Sequence, residues 1–192
     1  MQLLRRWGSR VTAICGAGKR ERCLALGAEH AIERGPDSIA SLPPDFDAVL
    51  NFGSWDDDLA LASHLGPHAL GHATTVHPLL ANFDRLGWLR GASASRRDWK
   101  TVRSTVVARA PAARYAWTVF RPDRGAFDAL VSGVRASVFS LPVGLQTTFD
   151  DAAAAFAHVA AGANGRAILL PNGTASASAG SADERRETIP AG

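Results

Sequence analysis

The stretch VTAICGAGKRERCLALGAEHAIERG, residues 11–35, decides the fold. Residues 10–15, RVTAIC, alternate in polarity and carry β-branched side chains, which predicts a strand. GKRERCLALG (18–27) then reads as a short amphipathic helix with Leu24 and Leu26 turned inward, closed by Gly27. EHAIER (29–34) is a second short strand. A strand, a helix and a strand within 25 residues form a parallel crossover unit.

The same alternation continues outward. FDAVLNFG (46–53) reads as a buried strand, and WDDDLALASHLG (55–66) as a helix whose three aspartates favour the positive end of its dipole. GHATTVHP (71–78) is a strand stopped by Pro78. Residues 79–112 give a clear helical pattern only over 96–110. YAWTVFRP (115–122) is a strand, RGAFDALVSGVRA (124–136) a helix, and SLPVGLQTTF (140–149) an extended segment. DDAAAAFAHVAAG (150–162) is a helix with an aspartate cap, and RAILLP (166–171) a last strand. Strands alternating with helices predict an α/β fold, a parallel sheet with helices on both faces. The Gly, Ser, Ala and charged residues of 172–192 cannot bury a core and are expected to be disordered.

Composition narrows the function classes. Of 192 residues, 46% are apolar and 20% charged, as in an ordinary globular protein. The net charge of +3 comes from arginines spread along the chain, whereas a nucleic-acid surface would need them clustered, so no nucleic-acid partner is expected. Cys15 and Cys23 are the only cysteines and form no C-x-x-C pair, which argues against structural zinc and fits a reducing compartment. No run approaches the roughly 18 apolar residues of a membrane helix, and MQLLRRWGSR lacks a signal-peptide core, so a cytoplasmic protein without a membrane span is expected. His64, His68 and His72 are spaced by four, but Gly66 and Pro67 interrupt any helix that would align them, so no metal site is expected. No catalytic set can be assigned from spacing.

Several blocks together resemble the second half of a medium-chain dehydrogenase/reductase, most closely the reticulon-interacting (NOGO-interacting) mitochondrial oxidoreductase family and its quinone-oxidoreductase-like bacterial relatives. The blocks are VTAIC with LALGAEHAIER, FDAVLNFG, TTVHPLLANFDRLGWLRG (74–91), YAWTVFRPDRGAFDAL (115–130) and FDDAAAAFAHVAAGANGRAILLP (149–171). MQLLRRWG is similar to the end of the helix after that family's glycine loop. The resemblance implies an incomplete Rossmann-type sheet over residues 1–138, a C-terminal remnant of the catalytic domain over 139–171, and a tail at 172–192. It also implies that the first strand, the loop G-x-x-G-x-V-G and a GroES-like half lie outside this chain. In the order 3-2-1-4-5-6 the absent strand is central, which leaves two inner edges, residues 10–15 and 46–51. These edges either close on each other or accept a second chain, so a homo-oligomer is an open expectation.

The chemistry implied is zinc-independent, NADPH-dependent reduction of a small-molecule quinone or other activated carbonyl; the alternative is a catalytically inactive remnant or binding fragment. At the turn after the first strand, Gly16 is followed by Lys19 and Arg20 with no acid between residues 15 and 18, which favours a 2′-phosphate over a free ribose hydroxyl. Arg34 is a third cation for that phosphate. The strand ends at Asn51, Gly53, Val76, His77 and Pro78 are expected to line the cofactor crevice, mainly through backbone. By resemblance, Phe120 lies near the nicotinamide, and Arg166 stands where the family has a lysine near the cofactor.

Overall fold

The computed structural model describes residues 1–171 and divides into two compact units, the first Met1–Asp123 and the second beginning at Arg124. The expected tail at 172–192 lies outside the described residues. The chain is α/β, and every strand pair among the described residues is parallel.

The first unit opens with helix α1, Gln2–Arg6, followed by strand β1, Thr12–Cys15, helix α2, Arg20–Ala25, and strand β2, His30–Glu33. β1 pairs with β2 from Thr12↔His30 to Cys15↔Glu33. Arg10 and Glu29 extend the pair with a 2.9 Å ion pair at its entrance. Strand β3 spans Ala48–Asn51, a single 3₁₀ turn spans Trp55–Asp57, and helix α3 spans Asp58–Ala62. Strand β4, Gly71–Thr74, helix α4, Leu79–Arg109, and strand β5, Arg114–Trp117, complete the unit. β3, β4 and β5 form one sheet in that order, and β1–β2 form another. No ladder joins β1 to β3.

The core belongs to the three-stranded sheet. Val49 and Tyr115 on the sheet pack with Ala62 and Leu65 from the α3 region and with Val102, Val106 and Ala110 from the α4 region. Period-2 alternation puts Val49, Asn51, His72, Thr74 and Tyr115 on the buried side, while Ala48, Leu50 and Ala116 remain exposed. Residues 79–95, unclear in the sequence, belong to α4, which is two helices meeting at Gly87. Gly87 has φ 73° and ψ 178°, a region essentially reserved for glycine that costs a residue with a Cβ about 1–3 kcal/mol. The two arms then cross closely at Gly91, where a Cβ would lie 2.8 Å from the Asn82 carbonyl oxygen.

The second unit holds helix α5, Arg124–Arg135, strand β6, Val143–Thr148, helix α6, Ala152–Ala160, and strand β7, Arg166–Leu170. β6 and β7 form a separate parallel pair with a register shift between Val143 and Leu145. α6 packs on both strands, and His158 Nε2 lies 3.2 Å from the Gly165 carbonyl. The residue capping α6 is Asp151 and its carboxylate makes no capping bond, so the expected aspartate cap at 150 is displaced by one residue.

Under the C-terminal end of the three-stranded sheet lies a polar cluster. Asp58 is fully buried, and its carboxylate accepts from Asn51 Nδ2 at 2.8 Å, His72 Nε2 at 2.9 Å and the Tyr115 hydroxyl at 2.6 Å. Trp117 Nε1 in turn donates to the Tyr115 oxygen at 2.8 Å. Asp58 is thus a structural anchor, not one of three solvated aspartates at a helix start. Tyr115→Phe removes one donor from a buried charge, and urea unfolding is expected to show a loss of about 1.5–3 kcal/mol. An unchanged midpoint would mean that Asp58 is satisfied without the phenol.

Candidate functional site

The crevice at the carboxyl ends of β3 and β4 is built on that cluster. Asn51, the last residue of β3, is buried and holds the chain as it leaves the strand: Nδ2 donates to the Ser54 carbonyl at 2.8 Å and Oδ1 accepts from Gly53 N at 3.0 Å. Ser54 Oγ then accepts from Asp56 N at 3.2 Å and starts the 3₁₀ turn. The turn carries Trp55, whose ring meets Trp117 edge-on at 5.6 Å between centroids. Beyond β4, Val76 N donates to Thr74 Oγ1 at 3.3 Å, and His77 stacks flat on Trp117 with centroids 4.9 Å apart. Pro78 caps the start of α4.

Trp55 and Pro78 form one wall of a cavity of about 700 Å³, completed by Ala81, Asn82, Asp84, Arg85 and Asp98. The bend at Gly87 makes this wall by folding the first arm of α4 back on the second. Asn82 locks the fold-back by donating to Ser95 Oγ at 3.2 Å and Asp98 Oδ2 at 2.9 Å. The cavity is large enough for a small-molecule site and mixes indole surface with charged groups. Asn82, Asp84, Arg85 and Asp98 were not anticipated as site residues from the sequence; the one local signal for the first three is the polar spacing within NFDR (82–85), and Asp98 has none.

The expected dinucleotide residues fall into separate groups. Gly53, Val76, His77 and Pro78 gather at the crevice with Asn51. Gly16, Lys19 and Arg20 lie at the turn between β1 and α2. There the three cations differ. Arg20 Nε donates to the Ala31 carbonyl at 3.2 Å, and its Nη1 meets Glu21 at 3.3 Å. Arg34 pairs with Asp57 and lies over Gly53, where a Cβ would be 2.8 Å from its Nη2. Lys19 makes no ion pair among the described residues. Glu33, at the end of β2, reaches the same turn and accepts from Gly18 N at 2.8 Å. Phe120 follows β5 and is 92% exposed, and Arg166 is an exposed residue of β7 in the second unit.

His64, His68 and His72 do not converge. His64 Nδ1 lies 3.3 Å from the Pro43 carbonyl, whereas His72 is buried within β4 against Asp58. Among the described residues no group of three His, Cys, Asp or Glu side chains is placed to hold a metal ion, and no helix is long and apolar enough to cross a membrane.

The fold has solved counterparts. A quinone oxidoreductase from Coxiella burnetii matches with a TM-score of 0.64 and 15% identity, covering 90% of this chain and 48% of its own. A CurK enoyl reductase matches with a TM-score of 0.58 and 13% identity, covering 88% and 50%. A thermostable alcohol dehydrogenase from Pyrobaculum aerophilum matches with a TM-score of 0.56 and 14% identity, covering 88% and 45%. The chain therefore has a fold found in these oxidoreductases and spans about half the length of each. No protein-family model and no curated protein sequence matches it.

Burial works to raise the Asp58 pKa, but the hydrogen bonds from His72, Tyr115 and Asn51 outweigh it, and the carboxyl lies below its ordinary value. A depressed folded-state pKa stabilises the protein above the unfolded value, about 3.9, and the contribution is lost as pH falls through the folded one. Urea unfolding of the wild type and Asp58→Asn between neutral pH and pH 2 is expected to show their stability difference shrinking below about pH 4. A difference independent of pH would mean that Asp58 is not held as a carboxylate.

Proposed function

We propose that this chain contributes to a nicotinamide-dependent, zinc-independent oxidoreductase of the medium-chain type that reduces a quinone or another activated carbonyl with NADPH. The observation that carries the reading is the crevice at the carboxyl ends of β3 and β4, the place where open parallel sheets bind ligands, on a fold shared with three oxidoreductases.

The described residues fit one end of a dinucleotide. Around the β1–α2 turn a Cβ at Gly18 would meet nothing within 4 Å, and one at Gly16 would meet only the Lys19 side chain, at 3.9 Å. This leaves room for a ribose against the turn. Lys19 supplies a cation for its 2′-phosphate, and Arg34 stands at the edge of the crevice. No G-x-x-G-x-V-G turn occurs in the sequence to cradle the pyrophosphate, so binding by this chain alone is expected to be weak. When bound, the nicotinamide supplies the hydride. Trp55, Trp117 and His77 provide a packed aromatic wall that excludes water from the strand ends, and Arg85 is a donor within the cavity for an acceptor oxygen.

Glu33 favours a second reading. A carboxylate already bonded at Gly18 N is placed to accept from a free ribose hydroxyl, which would select NADH. Titrating tryptophan fluorescence with NADPH and NADH separates the two. NADPH is expected to bind more tightly, and Lys19→Ala to lower the ratio roughly tenfold or more, the equivalent of one charge-assisted bond. Tighter binding of NADH, abolished in Glu33→Gln, would replace the first reading with the second, and no binding of either would contradict both.

A further inference from the structure

The bend of α4 at Gly87 leaves an apolar tip. Leu86, Trp88 and Leu89, the side chains on either side of it, are exposed, Trp88 by 76% and Leu89 by 81%. Trp88 is nevertheless held in place, because its ring stacks on Phe83 of the first arm with centroids 5.0 Å apart. Single apolar residues on a surface are ordinary, but three gathered at one turn mark a contact surface.

Behind the tip the helix turns basic. α4 carries seven Lys and Arg against two Asp, a net charge of +5 in a chain whose net charge is +3, so the remainder carries −2. The cations spread along the sequence are therefore weighted to one helix. At 3.6 residues per turn, Trp88, Ala92, Arg96 and Lys100 form one row along the second arm, and Leu89, Ser93 and Arg97 form the next. All of these are exposed, as is Arg90 beside them, whereas Gly91, Ala94, Ser95 and Val102 on the opposite side are buried. Each row starts on an apolar side chain at the bend and reaches its cations about 12–18 Å along the helix. Arg90, Arg96, Arg97 and Lys100 make no ion pair among the described residues. The cations farthest from the tip are used within the fold instead: Arg103 lies 5.4 Å over the Trp99 ring, and Arg109 Nε donates to the Leu65 carbonyl at 3.1 Å.

This order of groups matches a layered partner. An anionic bilayer presents phosphates outside an apolar interior, so an apolar tip with cations behind it meets both layers at once. Tryptophan is favoured at that boundary, where its ring is in an apolar phase and its N–H in a polar one. A nucleic acid would engage the cations and leave Leu86 and Leu89 in water. We propose that the bend of α4 and the exposed face behind it form a peripheral docking surface for an anionic lipid bilayer. Trp88 and Leu89 enter the headgroup boundary, and Arg90, Arg96, Arg97 and Lys100 face the phosphates. The helix rests on the membrane without crossing it, and the proposal stands independently of the cofactor reading.

The test is co-sedimentation of the full chain with vesicles of phosphatidylcholine alone or with about one third phosphatidylglycerol. The anionic vesicles are expected to bind roughly tenfold more tightly or better, and high salt to remove most of the difference. Arg96→Ala/Arg97→Ala is expected to weaken binding to the anionic vesicles roughly ten- to thirtyfold. Trp88→Ala/Leu89→Ala is expected to weaken it by a similar factor and to leave the preference for the anionic lipid in place. All four side chains are exposed, and far-ultraviolet circular dichroism identical to wild type shows that both variants fold. Equal binding to the two kinds of vesicle, binding to neither, or binding unchanged in both variants would overturn the proposal. So would binding to double-stranded DNA that is as tight and indifferent to Trp88→Ala/Leu89→Ala, because the face would then belong to a nucleic acid. Self-association without lipid that Trp88→Ala/Leu89→Ala abolishes would overturn it as well, by giving the face to a second copy.

Discussion

The strand ends of the three-stranded sheet at the candidate site rest on one buried carboxylate. Asp58 sits at the start of α3, and its three donors come from β3, β4 and β5. A carboxylate without water is expensive to bury, and only a full set of donors makes it tolerable. Because each donor comes from a different strand, the cluster fixes the register of all three against one helix. It also sets what lies above it: Asn51 turns the chain into the Trp55 loop, and Tyr115 orients Trp117, on which His77 stacks. A carboxylate accepts only, so His72 Nε2 carries the proton and its Nδ1 is left without a partner among the described residues.

β1 and β2 are organised differently. Their buried residues are few and small, Gly27, Ala28 and Ala31, and none belongs to the core of the three-stranded sheet. They are tied to that sheet by the Arg34–Asp57 pair, whose arginine is half exposed, and such pairs contribute about 0–1 kcal/mol. The cofactor reading divides along the same line, with its ribose end on β1 and β2 and its cavity on β3 and β4.

The pattern of strands and helices was legible in the sequence because it is local. Alternation in RVTAIC, EHAIER and FDAVLNFG and the punctuation at Gly27 and Pro78 gave the right elements, although these three strands are four residues long where longer ones were expected. The fold-back of α4 was not legible, since Gly87 looks like a helix stop and only the contact of Gly91 with Asn82 shows that the chain continues as helix. The Asp58 cluster was hidden for a related reason. Its partners lie 7, 14 and 57 residues away, and within WDDDLAL the three aspartates look alike. The clue was His72, a polar residue on the alternating face of a strand otherwise fit for burial. The cations read together at the phosphate site separated because each found a different local partner, Arg20 on the Ala31 carbonyl and Arg34 on Asp57.

The division between a strongly anchored sheet and a weakly tied strand pair is measured most directly by native-state hydrogen exchange at rising, sub-denaturing urea. Amides of Val49, Ala73 and Ala116 are expected to exchange only through the opening with the largest free energy, and those of Ala13 and Ile32 through a separate, lower opening with a smaller urea dependence. Asp58→Asn is expected to lower the first opening and leave the second in place. A single opening free energy shared by both groups of amides would show that the two sheets unfold as one and that Asp58 anchors no more of the structure than its neighbours do.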